Sequence, residues 1–414
     1  MLKNYLKIAW KVLLRRKFFT FISLFGISFT LMVLMVVTAL LNHFLGAQMP
    51  EQKQGRILYV SKLWMEGGGA TQNNSPSYYL LNRYVKPLKT PALISIYSGQ
   101  TAANNYKNSR KINMQMRYTD ANYWRILDFN FKQGDPYGKT DVESASMVAV
   151  ITEATSLNNF GTADAVGKSI SLNDRNYKVV GVVEDIPAIR NYSAADVWVP
   201  YTTSQSDLSK NDYHGNFAAM LLAKNTGDLP AIKREFYQTV AKIPILPEEK
   251  QYTVLKMFAD SRTEAFVREL SRNTDNYVSV PVFYSFIMGG MLFFMLIPTI
   301  NLININISRI MERSSEIGVR KAFGASSNTL VLQFLFENII LTLIGGLIGV
   351  LLAVGTMGLI NNSGLIPYSN LGLNLDILFL SLLICLFFGV LSGVYPAFKM
   401  SKLHPASALK GGTQ

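Results

Sequence analysis

Residues 161–169 are the segment whose spacing comes nearest to a phosphate-binding site. Gly161 and Gly167 precede Lys168 and Ser169, the residue types that hold phosphate and magnesium in a P-loop. That loop has four residues between its glycines, so that successive backbone N–H groups converge on the phosphates, and this chain has five. The residues that follow alternate as in a strand, whereas a P-loop leads into a helix. The sequence therefore predicts a glycine turn here and no nucleotide site.

The other residues that commonly act as ligands or catalysts are scattered along the chain. His43, His214 and His404 lie in three different regions, without the close spacing of metal ligands. The single cysteine, Cys385, excludes an internal disulfide and a cysteine-rich metal site. Neither Gly-x-Ser-x-Gly nor His-Glu-x-x-His occurs. We therefore expect no catalytic site, metal or cofactor in this chain.

Four long apolar runs organise the 414 residues. Each is longer than the roughly 20 residues that cross a hydrocarbon core of about 30 Å. The first is also longer than the roughly 7–15 apolar residues of a cleaved signal peptide, which predicts a retained anchor. The fold class expected is an α-helical membrane protein with four transmembrane helices and an α+β extracytoplasmic domain inserted between helices 1 and 2. The runs are 18–45, 278–307, 330–360 and 377–397.

The distribution of the net charge of +13 predicts the orientation. Residues 1–17 carry +6, the 308–329 loop +2 and the 398–414 tail +3, and short basic loops stay in the cytoplasm. Both termini are then cytoplasmic, while 46–277 and the short 361–376 loop are external. Basic residues that flank membrane-spanning runs are explained by orientation, so we expect no nucleic-acid partner. Basic and apolar residues repeat along 1–17, which predicts a cytoplasmic amphipathic helix on the lipid bilayer surface.

Within 46–277, short strand and helix patterns alternate, which predicts an α+β domain. Strands are expected at 147–151, 169–172, 177–183 and 218–223, and helices at 152–160 and 229–243. Asn173-Asp174-Arg175-Asn176 predicts the turn of a hairpin. The glycine-rich stretch from Gly67 to Ser77 is expected to be a flexible loop.

The third apolar run, 330–360, carries two features that bear on helix packing. Gly345, Gly349 and Ala353 recur every four residues, a spacing that either allows close packing on another helix or marks a bend. Glu337 is an intramembrane acid about 10 Å deep at 1.5 Å per residue. It is either a proton relay or, as we expect, a structural partner of a cytoplasmic Arg or Lys. Asn301, Asn304 and Asn306, near the end of the second run, are expected to bond between helices.

The cytoplasmic segment 316–325 combines apolar knobs, positive charge and glycines. Its apolar residues are Ile317, Val319 and Phe323, its basic residues are Arg320 and Lys321, and Gly318 and Gly324 permit close backbone approach; Glu316 precedes them and Ala325 ends the segment. Such a segment is suited to docking in a groove of a partner. On residue types alone, an ordinary basic loop explains it equally well.

Longer motifs resolve that choice through a family resemblance. Arg309 to Ser326 includes Glu316-Ile317-Gly318-Val319-Arg320-Lys321-Ala322-Phe323-Gly324-Ala325-Ser326, and Tyr395-Pro396-Ala397 precedes Pro405-Ala406-Ser407-Ala408-Leu409-Lys410. These segments resemble the signatures of the FtsX/MacB family of ABC permeases. Val148 to Ala154 and Gly167 to Val183 are similar to the MacB-type periplasmic core domain.

The resemblance implies a multi-pass permease of the bacterial plasma (inner) membrane. ATP would be bound by a separate ABC ATP-binding subunit, and a second permease subunit would complete a homo- or heterodimer. The ATPase-coupling residues implied are Glu316, Ile317, Gly318, Arg320, Lys321, Phe323, Gly324 and Ala325. Export or mechanotransmission is the function expected, with lipoprotein release of the Lol type or FtsX-like regulation of cell-wall hydrolases as alternatives. A periplasmic adaptor, a lipoprotein or a hydrolase would be the respective external partner.

Overall fold

The computed structural model describes residues 17–107, 110–312, 319, 323, 326–365, 371–372 and 375–401. They divide into two compact units. The helical unit contains the described residues among 1–43, 282–365 and 369–414, and the α+β domain contains those among 44–281.

The described helices comprise four long ones and several short ones within the domain. They are α1 (Lys17–Leu45), α2 (Tyr78–Leu80), α3 (Ala121–Ile126), α4 (Lys139–Glu143), α5 (Glu153–Phe160), α6 (Leu229–Val240), α7 (Arg262–Ser271), α8 (Val280–Met311), α9 (Ser327–Ser363) and α10 (Leu375–Ser401).

The helical unit buries apolar side chains between its long helices. Leu31 and Met35 of α1 share a cluster with Leu341 and Met357 of α9 and with Cys385 of α10. By length and composition, three helical segments of the described chain can cross a membrane, namely Lys17–Leu45, Val280–Ser308 and Val331–Ser363. Helix α10 contains the shorter apolar stretch Leu378–Val394, so the fourth predicted span stays a prediction.

The described strands all belong to the α+β domain. They are β1 (Ile57–Val60), β2 (Leu63–Gly67), β3 (Ala70–Pro76), β4 (Leu93–Ser98), β5 (Thr101–Lys107), β6 (Arg110–Thr119), β7 (Phe131–Gly134), β8 (Val148–Thr152), β9 (Ser169–Leu172), β10 (Arg175–Val183), β11 (Val197–Pro200), β12 (His214–Gly215), β13 (Phe217–Leu222) and β14 (Val254–Met257).

The domain is built on two sheets. Among the described residues, ten strands form a mixed sheet in the order β1-β13-β4-β6-β11-β8-β10-β7, with β5 beside β6 and β9 beside β10. A second sheet has the order β12-β3-β2-β14. In β1, Leu58 and Val60 enter one apolar cluster and Ile57 and Tyr59 enter another, because successive side chains point to opposite faces. Both faces of the strand are covered, which explains its uninterrupted apolar sequence.

The strong local sequence signals are confirmed. Strand β8, helix α5, strand β13 and helix α6 lie where the sequence predicts them. The β9–β10 hairpin turns on Asn173 and Asp174, whose φ angles are 47° and 62°. Positive φ at both central residues is the requirement of a type I′ turn, which asparagine and aspartate tolerate. The turn is tighter than predicted, because Arg175 is already paired with Leu172.

The flexible loop predicted from Gly67 to Ser77 is wrong. The segment forms the β2–β3 hairpin, in which Gly67 pairs with Ala70 around Gly68 and Gly69. Strand β3 lies between β2 and β12. These neighbours provide hydrogen-bond partners for its backbone N–H and C=O groups, which the polar sequence of β3 alone does not predict. Glycine is required at position 67, since a Cβ there would lie 2.4 Å from the backbone nitrogen of Thr253.

Candidate functional site

A buried carboxylate faces two buried guanidinium groups at the start of the α+β domain. Glu51 is fully buried, and its carboxylate contacts Arg262 and lies 3.5 Å from Nη1 of Arg190. Ser193 Oγ donates to Glu51 Oε1 at 2.6 Å. Arg190 is also fully buried and Arg262 is 6% exposed. Charges this deep are retained only when they are paired and hydrogen-bonded, as these are.

The sequence around Arg262 fixes its place. Ser261 caps helix α7, since its side chain accepts from the backbone N–H of Glu264 and the Glu264 carboxylate accepts from the Ser261 N–H. This capping box makes Arg262 the first helical residue. Just before it, Asp260 pairs with Tyr59 through two backbone hydrogen bonds of 2.7 and 3.0 Å, which attaches the start of α7 to β1.

The same two arginines bind the end of helix α1. Arg262 Nε donates to the carbonyl of Phe44 at 2.8 Å, and Arg190 Nη1 donates to the carbonyl of Gly46 at 2.9 Å. The carbonyl of Leu45 accepts from Gln54 Nε2 at 2.5 Å. The last carbonyls of a helix lack intrahelical partners and carry partial negative charge, so positive donors stabilise them. We call the contacts of residues 44–46 with Gln54, Arg190 and Arg262, together with the Glu51 carboxylate that pairs with both arginines, the α1 junction.

Aromatic rings surround the α1 junction. Phe44 packs edge-on against Phe266 of α7 at 5.0 Å between ring centroids, and Tyr59 stacks on Tyr192 at 4.0 Å. The guanidinium of Arg262 lies 5.8 Å from the Tyr192 ring centroid. Burial raises the pKa of Tyr192 to about 12 and the pKa of Tyr59 well above its usual range. Both phenols are therefore neutral at physiological pH, and Glu51 is the acid that balances the two arginines.

The other end of α7 binds the segment that leads into α8. Arg268 forms a bidentate pair with Asp260, with N–O distances of 2.6 and 3.0 Å, and lies 3.6 Å from the Phe258 ring centroid. Its Nη1 donates to the carbonyls of Asn273 and Asp275 at 3.1 and 2.6 Å. We call these contacts the α8 junction, since α8 begins at residue 280.

One short helix therefore contacts both chain connections of the domain. Arg262 in its first turn binds residue 44, and Arg268 near its end binds residues 273 and 275. Residues 44–281 all belong to the domain's compact unit. The arrangement fixes the two connecting segments to one helix of the domain. Sequence reasoning missed Glu51, Arg190 and Arg262, because a lone charged residue reads as a surface residue; the Ser261-Glu264 capping box was the available signal for α7.

The coupling segment proposed from the sequence lies largely outside the described residues. Of its members the structure describes Val319 and Phe323, whose side chains are 43% and 88% exposed. The others, on which the structure gives no information, are Glu316, Ile317, Gly318, Arg320, Lys321, Gly324 and Ala325.

The small residues of α9 lie against α1. A Cβ added to Gly345 would come within 2.8 Å of Ile27 Cγ2, and one added to Gly349 within 2.9 Å of the Ser28 carbonyl. Ala353 is fully buried in the cluster that α1 shares with α9. Glycine at these positions lets two helix backbones approach closely, which is how helices pack in lipid.

The polar residues of the helical unit have different surroundings. Glu337 is 5% exposed, and its Oε1 accepts from Gln333 one turn earlier at 3.2 Å. Its expected pairing with a basic residue stays a prediction. Asn306 donates to the carbonyl of Ser392 at 3.3 Å and so joins α8 to α10, while Asn301 and Asn304 are exposed.

Comparison with known proteins gives two family matches. Residues 20–238 match the MacB-like periplasmic core domain, and residues 288–405 match the FtsX-like permease C-terminal domain. The first match alone covers more than half of the chain.

Curated relatives of two kinds are similar to this chain. The macrolide export ATP-binding/permease protein MacB of Bdellovibrio bacteriovorus is 27% identical over 275 residues, which are 66% of this chain and 40% of that protein. The ABC transporter permease YvrN of Bacillus subtilis is 22% identical over 98% of this chain and 99% of its own length. Among solved structures, the periplasmic region of MacB from Actinobacillus actinomycetemcomitans is 14% identical, with a TM-score of 0.39, over 54% of this chain and 98% of that one.

Proposed function

Since the chain belongs to the FtsX/MacB-like family of ABC transporter permeases, we propose that it transmits force from an ATP-binding partner subunit to its α+β extracytoplasmic domain. The observation that carries the proposal is the attachment of both connecting segments to helix α7 through Arg262 and Arg268. A movement of α1 or α8 then displaces one rigid element of the domain and not a loose linker.

The chemistry of the α1 junction suits the transmission of force. A single hydrogen bond contributes about 1 kcal/mol net, whereas buried charged pairs cost several kcal/mol to break. Residues 44–46 are held by three side-chain donors, two of which are guanidinium groups that share one buried carboxylate. The connection therefore stays intact under loads that would separate a junction of apolar contacts and single neutral hydrogen bonds.

On the cytoplasmic side, the proposed contact with the ATPase is the segment from Glu316 to Ala325. We propose four transmembrane helices with both termini in the cytoplasm, so that this segment faces the ATP-binding subunit. The test uses single cysteines introduced at position 323 or position 174 in a Cys385→Ser background, labelled in intact cells by a membrane-impermeant maleimide. Position 174 should react and position 323 should react only after lysis. Reaction of both in intact cells contradicts this topology.

Force transmission is tested with the full chain and its co-purified ATP-binding subunit in lipid nanodiscs. Spin labels at position 174 report ATP-dependent distances between the domains of two permease subunits. A combined Glu316→Ala and Arg320→Ala variant should hydrolyse ATP without a change in the label distance. The matched control is Glu143→Gln, which alters an exposed ion pair of the domain. An unaltered distance change in the combined variant overturns the proposed coupling role.

Export of a substrate is the activity that the name of the relative MacB suggests for this chain. Lipoprotein release and hydrolase regulation differ from it in the external partner. An affinity pull-down from mild detergent, with identification of the external proteins that co-purify with the permease, distinguishes these three functions.

A further inference from the structure

The α+β domain contains a cavity of about 550 Å³ beside helix α7. This volume lies within the 300–1,000 Å³ range typical of small-molecule sites. Its two walls are regular elements. On one side the β2–β3 hairpin presents Trp64 paired across the strands with Asn73, while Leu63 and Met65 face the apolar core. Successive strand residues point to opposite faces, so the hairpin face that carries Trp64 and Asn73 lines the cavity.

Helix α7 forms the opposite wall through one stripe of its surface. Ala265, Arg268 and Glu269 line the cavity, and their spacing of three or four residues places them on one helix face; Arg272, the residue after the helix, lines it as well. Phe258, just after β14, also lines the cavity and packs against the guanidinium of Arg268. The hairpin and the helix are regular elements, which fixes the shape of the cavity between them.

Aromatic rings dominate the buried part of this cavity. Tyr59 and Phe258 are almost fully buried, and Trp64 and Tyr192 are half-buried beside them. Trp64 and Tyr192 leave part of their rings accessible from the cavity, and such flat apolar surfaces suit contact with an aromatic ligand. The buried charges here neutralise each other, because Arg268 and Asp260 form their bidentate pair within it.

The rim has an excess of positive charge. Lys62, Glu269 and Arg272 are the remaining charged residues that line the cavity. None of the three has an ion-pair or hydrogen-bond partner for its side chain among the described residues, whereas Lys53, Lys233 and Lys256 elsewhere in the domain are paired. With two cations and one carboxylate the rim has a net positive charge, and Lys62 and Arg272 are both available to an anion.

Arg272 occupies a backbone conformation that favours glycine. Its φ of +51° lies in the left-handed region, where a side chain is strained and where helices usually end in glycine or asparagine. Glycine at this position would adopt the same backbone conformation without strain. An arginine here is explained if its side chain binds a ligand at the rim of the cavity.

We infer that this cavity is a binding site for a small aromatic anion, whose ring packs against Trp64 and Tyr192 and whose acid group is held by Lys62 and Arg272. The inference does not depend on the proposed force transmission, since every residue that lines the cavity belongs to the domain.

The test is isothermal titration calorimetry on the full chain in phosphatidylcholine nanodiscs, with empty nanodiscs as the blank. The probes are 2-naphthoate, neutral 2-naphthamide and cationic 2-naphthylmethylammonium. Naphthoate should bind about tenfold more tightly than the amide, which corresponds to about 1.4 kcal/mol from the two rim cations. Lys62→Gln and Arg272→Gly should each weaken naphthoate binding about three- to fivefold, the range for partly exposed charges.

Matched controls separate binding from folding. Lys178→Gln removes an exposed lysine on β10, and Ala145→Gly relaxes another residue with a φ of +51°; neither residue lines the cavity, and neither change should alter affinity. Arg272→Gly should not lower the melting temperature, because glycine accepts that conformation without strain. The inference is overturned if the amide or the ammonium probe binds as tightly as naphthoate. It is also overturned if neither Lys62→Gln nor Arg272→Gly weakens binding.

Discussion

Replacing Glu51 by glutamine tests the electrostatic basis of the α1 junction. The substitution keeps the shape of the side chain but removes the negative charge that pairs with both Arg190 and Arg262. Breaking a buried pair by removing one partner costs about 3–5 kcal/mol, because the remaining charges stay buried without compensation. At about 2–4 °C per kcal/mol for a domain of this size, the melting temperature of the domain should fall by roughly 6–20 °C.

The assay is unfolding of the full chain in nanodiscs, followed by the fluorescence of Trp124 and Trp198, both buried in the domain. The matched control is Glu143→Gln, whose partner Lys139 lies 3.5 Å away in an exposed pair. That change should alter the free energy of unfolding by less than about 1 kcal/mol.

A second variant tests whether the cost comes from uncompensated charge. Adding Arg190→Gln to Glu51→Gln removes one of the two buried cations, so the double variant should be more stable than Glu51→Gln alone by about 1 kcal/mol or more. The reasoning is refuted if Glu51→Gln costs no more than Glu143→Gln. It is also refuted if the second substitution simply adds to the loss.

Three further predictions concern α7 and the helical unit. Burial acts to raise the pKa of Glu264, but hydrogen bonds from a lysine on α6 and from the Ser261 backbone outweigh it and lower this pKa below 4.5. The stability that Glu264 contributes is therefore present above pH 4.5 and is lost as the pH falls through the pKa of the folded state. Hydrogen exchange across α7 should show this loss in the native chain but not in Glu264→Gln. Gly349→Ala should destabilise the helical unit by about 1–3 kcal/mol through its contact with α1, whereas Gly358→Ala, with nothing within 4 Å, should not, as melting in nanodiscs would show. Asn306→Leu should cost about 0.6 kcal/mol in the same assay through its lost bond to α10, and exposed Asn301→Leu should cost less.

Helix α7 contributes side chains both to the α1 junction and to the cavity. One face carries Arg262 and Phe266 to the α1 junction, and the stripe from Ala265 to Glu269 lines the cavity. Arg268 belongs to both the cavity and the α8 junction, since its guanidinium bonds Asp260 and the carbonyls of residues 273 and 275. A ligand in the cavity would thus contact the residue that holds the segment before α8.

The sequence by itself determined the features that rest on local patterns. Long uncharged runs gave the membrane helices, because the bilayer imposes a length and a composition on each span. The β9–β10 turn followed from Asn173 and Asp174, two residues that tolerate positive φ. The family motifs after residue 309 identified the permease class, which the match to residues 288–405 confirms.

Only the tertiary structure decided which charged and polar residues are buried. Glu51 and Arg190 are 139 positions apart and meet because separate segments converge on the end of α1, an event that no local pattern records. The polar stretch from Thr71 to Ser75 became a strand because β2 pairs with it up to Asn74 and β12 pairs with it at Ser75. In each case the deciding free energy comes from partners distant in sequence, through desolvation and hydrogen bonding that exist only in the folded domain.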